Sequence, residues 1–279
     1  MFQAIKRLLT QNFSKHTIFV LVVFLFYSIS RLFPILHYGD RAFGYDTGIY
    51  RFTINAYWEK FGEAGLPPMS FSWFTNFFKL IGFSTDMIMF GVYFATACAI
   101  FWLLYFVIKK YFDKRTALWA VFLFSISIVQ FEFYHWYYYR SFVATALLLL
   151  SILLFSRHSY FSILPLILAV CFHPLAALPI VLAASMMIFL DKTKRRYWLI
   201  TLAVTALGSI VMNWRAFYEH FIFLRDNQWL AGHDQSGATE STGQFIALLF
   251  FYKAVILYVV FSIIGLWKNY KNTKFFALI

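Results

Sequence analysis

The chain has 279 residues and a formal net charge of +12, yet 62% of it is hydrophobic, 23% aromatic and only 13% charged. Soluble domains carry roughly 25% charged residues, so a soluble globular fold is excluded, and with it the simplest meaning of a basic chain, nucleic-acid binding. The composition is that of an integral membrane protein, and the two cysteines, Cys98 and Cys171, each inside an apolar run, support neither a disulfide framework nor a metal cluster.

A spanning helix needs ~20 mostly apolar residues, and the apolar runs predict an all-α polytopic bundle of about eight spans. In chain order these cover 17–36, 86–108, 116–134 and 141–155, then two short spans within 160–190 broken near His173-Pro174, and finally 197–212 and 244–266. Reading 160–190 as two spans keeps Arg157 and the run Asp191-Lys192-Thr193-Lys194-Arg195-Arg196 on one side. With the N-terminus cytoplasmic, the inner segments then hold 15 of the 24 Lys and Arg residues, against only Asp113 and Asp191. The +12 is therefore an orientation signal of the positive-inside kind, and no nucleic-acid partner is expected.

No small-x-small cleavage site precedes Arg31, so the first apolar run reads as a retained helix and not a signal peptide. At the other end, Asn272 to Ile279 reads as a basic flank entering a further apolar run, which predicts a chain truncated at its C-terminus. Residues 1–279 form one polytopic domain in this reading, without internal repeat or low-complexity linker.

Two outer loops have real length, 37–85 and 213–243. The first opens with His37-Tyr38-Gly39-Asp40-Arg41-Ala42-Phe43-Gly44-Tyr45-Asp46-Thr47-Gly48-Ile49-Tyr50-Arg51, dense in acid, base and aromatic side chains. From Ile49, Phe52, Ala56 and Phe61 fall near helical spacing, with Arg51, Asn55 and Glu59 on another face, which predicts an amphipathic interfacial helix. Asp46 at its start is a favoured N-cap, so capping and chemistry compete for it. A second surface helix is predicted over 70–83, with Phe71, Phe74, Phe78 and Ile81 as an aromatic anchor in the headgroup layer.

A very short outer turn, Tyr134-His135-Trp136-Tyr137-Tyr138-Tyr139-Arg140, joins the third and fourth spans. Arg140 there is either a snorkelling member of an aromatic belt or a permanently charged planar fork for a phosphate. His173, beside the break, either satisfies carbonyls or serves a phosphate or a proton. Glu132 and Lys253 are ionisable groups inside apolar runs and are functional suspects for that reason. No phosphate-binding glycine loop, dinucleotide glycine pattern, His-Glu-x-x-His or paired cysteine occurs, so no cofactor and no metal are expected and ATP-driven transport cannot reside in this chain alone.

Taken together, the acid just past the first helix in Phe43 to Arg51, the interfacial helices that follow, and the Arg opening a later helix in Tyr139-Arg140-Ser141 resemble the GT-C integral-membrane glycosyltransferases. Phe172-His173-Pro174-Leu175-Ala176-Ala177 is similar to the His-bearing break of EpsG-like exopolysaccharide polymerases. The resemblance implies a transferase that moves a sugar from a polyprenyl-phosphate donor to a lipid, glycan or protein acceptor on the extracytoplasmic face of the cytoplasmic membrane. It makes Asp46 the catalytic base, with Asp40 in reserve. Arg140 and His173, helped by Arg51 or Lys253, would hold the phosphate, and Tyr45, Tyr50 and His135 would complete the substrate-binding set. A polysaccharide polymerase using lipid-linked repeats is the near alternative, and a non-enzymatic lipid-phosphate transporter or assembly partner the distant one.

Overall fold

The computed structural model describes residues 15–39, 47–59, 69–135, 138–155, 160–173, 185, 187–189 and 192–212. Among them every regular element is helical and no strand occurs. The 213–243 loop, the 244–266 span, the C-terminal run, Asp40, Tyr45, Asp46 and Lys253 lie outside the described residues.

Helix α1 (Lys15–Tyr38) carries no acidic residue over 24 positions. Val20, Val23, Tyr27 and Arg31 form its buried stripe, while Val22, Leu25, Ile29 and Phe33 face outward. A row of exposed aliphatic side chains of that length fits lipid and not water. The next two helices are short, α2 (Thr47–Glu59) and α3 (Met69–Leu80), and they pack on each other. Helix α3 stops three residues before the predicted Phe83. Gly82 adopts φ +92° and its N–H reaches the Lys79 carbonyl, while the Phe83 N–H reaches that of Phe78, a paired closure that only a residue tolerant of positive φ completes cheaply.

A π-turn (Met87–Val92) runs into α4 (Tyr93–Tyr111), and together they make a mostly apolar helical stretch of 25 residues. Asp113 then caps α5 (Lys114–Ile126), accepting from the Arg115 and Thr116 N–H groups at 2.7 and 2.8 Å. The predicted third span is not one rod. It bends by 55° between α5 and α6 (Ile128–His135) at Ser127, which leaves the helical region with ψ 117°. No proline or glycine marks the bend. Ser127 ends one helix and starts the next, with its Oγ accepting from the Gln130 N–H at 3.4 Å, the role Ser plays at helix starts.

Helix α7 (Tyr139–Phe155) packs along α4 on one side and α8 (Ile163–Phe172) on the other, and α8 in turn packs on α9 (Arg195–Met212). A short 3₁₀ turn (Tyr160–Ser162) leads into α8, where Ser151 donates to the Ser162 carbonyl at 2.9 Å. Helices α1 and α4 are long and apolar enough to cross a membrane, and the bent α5–α6 pair passes jointly. The chain is thus an integral membrane helix bundle.

Candidate functional site

The interfacial helices meet the bundle through one aromatic seam. Tyr139, the first residue of α7, is fully buried and donates its phenol to the Ile88 carbonyl of the π-turn at 2.7 Å. Its ring lies 5.9 Å from Tyr50 of α2, 5.5 and 6.2 Å from Phe71 and Phe74 of α3, and 5.1 Å from Tyr93 of α4. Phe74 continues the seam to Phe172 at 5.4 Å. Each such pair adds ~0.5–1.5 kcal/mol beyond the area it buries, so the seam fixes α2 and α3 over the ends of α7 and α8.

Two faces therefore differ from expectation. Phe52 is exposed, and the buried side of α2 is Thr47, Tyr50, Thr53 and Ile54. The α3 stripe is not a headgroup anchor, since Phe71 is buried and Phe74 and Phe78 pack against the core, whereas Trp73 and Phe77 face outward. A membrane bundle can put apolar groups outside and polar groups inside, because its outer solvent is hydrocarbon.

Arg140 and His173 are the residues that follow the two ends of this seam, Tyr139 and Phe172. They lie within electrostatic reach of each other: burial first, and the Arg140 charge second, hold the His173 imidazole below its ordinary value of 6.5. The His173 backbone N–H still bonds the Ala169 carbonyl at 2.9 Å, so the ring is carried on the last turn of α8. A permanent cation within reach of an imidazole that resists protonation is a combination suited to an anionic group.

The other expected residues are distributed differently. Arg51 reaches Asp86 at 2.7 Å, an acid that composition alone had not singled out. Beside it Lys79 Nζ donates to Thr85 Oγ1 at 2.6 Å, and that hydroxyl donates to Asn55 Oδ1 at 2.7 Å. This polar clasp ties α2 and α3 to the head of the π-turn. Tyr50 is buried in the aromatic seam. His135 belongs to another corner: its Nδ1 lies 2.8 Å from the Phe131 carbonyl, and it stands within electrostatic reach of Arg31 on α1. Glu132 is exposed on α6.

Sequence reasoning missed a further set. Thr53 of α2 and Ser72 and Asn76 of α3 are buried, and the Thr53 and Ser72 hydroxyls and both Asn76 amide atoms have no hydrogen-bond partner. Buried polar groups without partners are costly, and three on the facing interfacial helices suit a hydroxyl-rich ligand. Their only signal in the sequence was a polar residue at the inward helical spacing. Among the described residues no three His, Cys, Asp or Glu side chains converge as a metal site.

The family model described as EpsG family matches residues 17–279 of the chain. No curated protein and no solved structure matches it.

Proposed function

The chain belongs to the EpsG family, and from that premise we propose that it is a polysaccharide polymerase, a membrane glycosyltransferase that joins lipid-linked glycan units on the extracytoplasmic face. The observation that carries this reading is the Arg140 charge within electrostatic reach of the half-buried His173, at the two ends of the seam that holds α2 and α3. Glycosyl transfer from a polyprenyl-phosphate or polyprenyl-diphosphate donor breaks the bond between the anomeric carbon and the phosphate oxygen, and the electron pair leaves with the phosphate. Arg140, with His173 beside it, stabilises that developing charge. The acceptor hydroxyl forms the new bond to the anomeric carbon and gives its proton to a carboxylate, for which Asp46, immediately before α2, is the candidate base and Asp40 the reserve. Thr53, Ser72 and Asn76 offer the glycan the hydrogen bonds they otherwise lack. This chemistry is of the GT-C kind and draws on no cofactor.

The test is polymerisation in membranes supplied with a synthetic lipid-linked repeat, followed by the length distribution of the glycan. Asp46→Asn and Arg140→Ala are each expected to lower polymer yield by at least ~100-fold, within the range of single acid–base and electrostatic groups. Full-length polymer from Asp46→Asn and Asp40→Asn alike would remove the assigned base, and polymer from Arg140→Ala would remove the phosphate site.

A further inference from the structure

Arg31 lies on α1 seven residues before its last residue, Tyr38, or ~10 Å along the axis at 1.5 Å per residue. It is 0% exposed and no acid among the described residues pairs with it. Its Nη1 donates to the Tyr27 carbonyl at 3.3 Å and to Ser30 Oγ at 3.1 Å. The guanidinium carbon stands 3.6 Å over the Tyr27 ring and 5.9 Å from that of Tyr134. These contacts engage one nitrogen and the faces of the plane. Nε and Nη2 are buried with no hydrogen-bond partner.

Those two nitrogens share one edge of the guanidinium, and their N–H bonds run parallel, the arrangement that receives two oxygens of a phosphate or carboxylate at once. A cation inside an apolar bundle without a counter-ion is among the costliest groups to retain, and such groups mark ligand or ion paths. Helix α6, which sets Tyr134 against a face of the guanidinium and His135 within its electrostatic reach, stands at 55° to α5 across the single residue Ser127. Tyr93 of α4 fixes Tyr134 there by donating to its carbonyl at 2.8 Å.

We propose that the Nε–Nη2 edge of Arg31 is a second oxyanion site, separate from Arg140 and His173, which takes a lipid-borne phosphate. It rests on the polymerase reading only for the choice of a lipid diphosphate as probe.

The full chain is purified in detergent, and binding is followed by intrinsic fluorescence for four probes: polyprenyl diphosphate, the polyprenol of equal length, inorganic diphosphate and phosphatidylglycerol. Arg31→Gln is expected to weaken polyprenyl diphosphate by roughly ten- to a hundred-fold, as loss of a charge-assisted bidentate pair does. Arg31→Lys, a point charge without the fork, falls between. The melting temperature of ligand-free Arg31→Gln stays level or rises, because an uncompensated buried charge has been removed. If phosphatidylglycerol or inorganic diphosphate shows the same Arg31 dependence, the oxyanion edge stands and its ligand comes from bulk lipid or from water. Unchanged affinity in both variants, or a lowered melting temperature with unchanged affinity, makes Arg31 a packing strut and overturns the site. Normal polymer from Arg140→Ala together with lost probe binding in Arg31→Gln sinks the polymerase site and leaves this one standing.

Discussion

The Arg51 guanidinium meets the Asp86 carboxylate at 2.7 Å, and this ion pair helps join the first interfacial helix to the head of the second long membrane helix. Both side chains keep contact with solvent, at 34% and 64% exposure, so the pair belongs to the class worth ~0.2–1 kcal/mol. A double-mutant cycle of Arg51→Gln and Asp86→Asn, read by thermal unfolding in detergent, should return a coupling in that range that shrinks as salt rises. A coupling of several kcal/mol would mean the pair is far more desolvated than its exposure indicates.

His173 carries a pH signature with a definite sign. Its folded pKa lies below 6.5, so above that value the ring is neutral in both folded and unfolded chains and costs nothing. As pH falls through the ordinary histidine range, the unfolded chain takes up a proton that the folded one resists, and stability declines until the folded pKa is reached. Arg140→Gln removes the second of the two causes, so the His173 titration should move upward and this acid-side loss should lessen. Histidine NMR on wild type and variant checks it. An unmoved titration would separate the two residues.

Asn76 tests the idea that the interfacial helices keep polar groups for a ligand. With both amide atoms buried and unpaired, Asn76→Leu should relieve a desolvation penalty of ~1–3 kcal/mol. The expected outcome is an equal or higher melting temperature together with a raised KM for the lipid-linked repeat. A stabilised variant with unchanged KM would show that Asn76 takes no part in substrate binding.

Gly208 sets how closely α9 approaches α8. A Cβ built there would stand 2.8 Å from Ile167 Cδ1 and 3.3 Å from two further Ile167 carbons, so only hydrogen fits without movement. Gly208→Val should cost ~1–3 kcal/mol, the usual penalty for overfilling a packed contact, and Ile167→Ala should recover part of it. Additive losses in the double variant would place the strain elsewhere.

The long apolar runs announced α1, α4 and α7 because a helix satisfies every backbone group within one continuous apolar segment, and the interfacial helices showed in the break at Pro67-Pro68 and in their helical spacing. The facing of α2 did not show. Periodicity reports which residues share a side, but in a membrane it does not say whether the apolar side turns inward, and here Thr53 is buried while Phe52 is not. The bend at Ser127 was silent for another reason: a serine that caps the following helix looks the same in sequence as one pointing into a groove. Arg140 and His173 were legible as residue types at helix ends, whereas their proximity depends on a seam running from Tyr139 through Phe74 to Phe172. Arg31 escaped because its surroundings are assembled from Tyr27 one turn away and Tyr134 a hundred residues on.

The shortness of α7 and α8 carries a mechanical consequence. Helix α7 has 17 residues, and the 3₁₀ turn with α8 has 13, which at 1.5 Å per α-helical residue gives lengths of ~26 and ~20 Å against ~30 Å of hydrocarbon. Lipid next to such elements compresses to meet them. The bilayer then thins into a shallow dimple on this flank, and headgroups there lie nearer the midplane than they do beside the 24-residue α1.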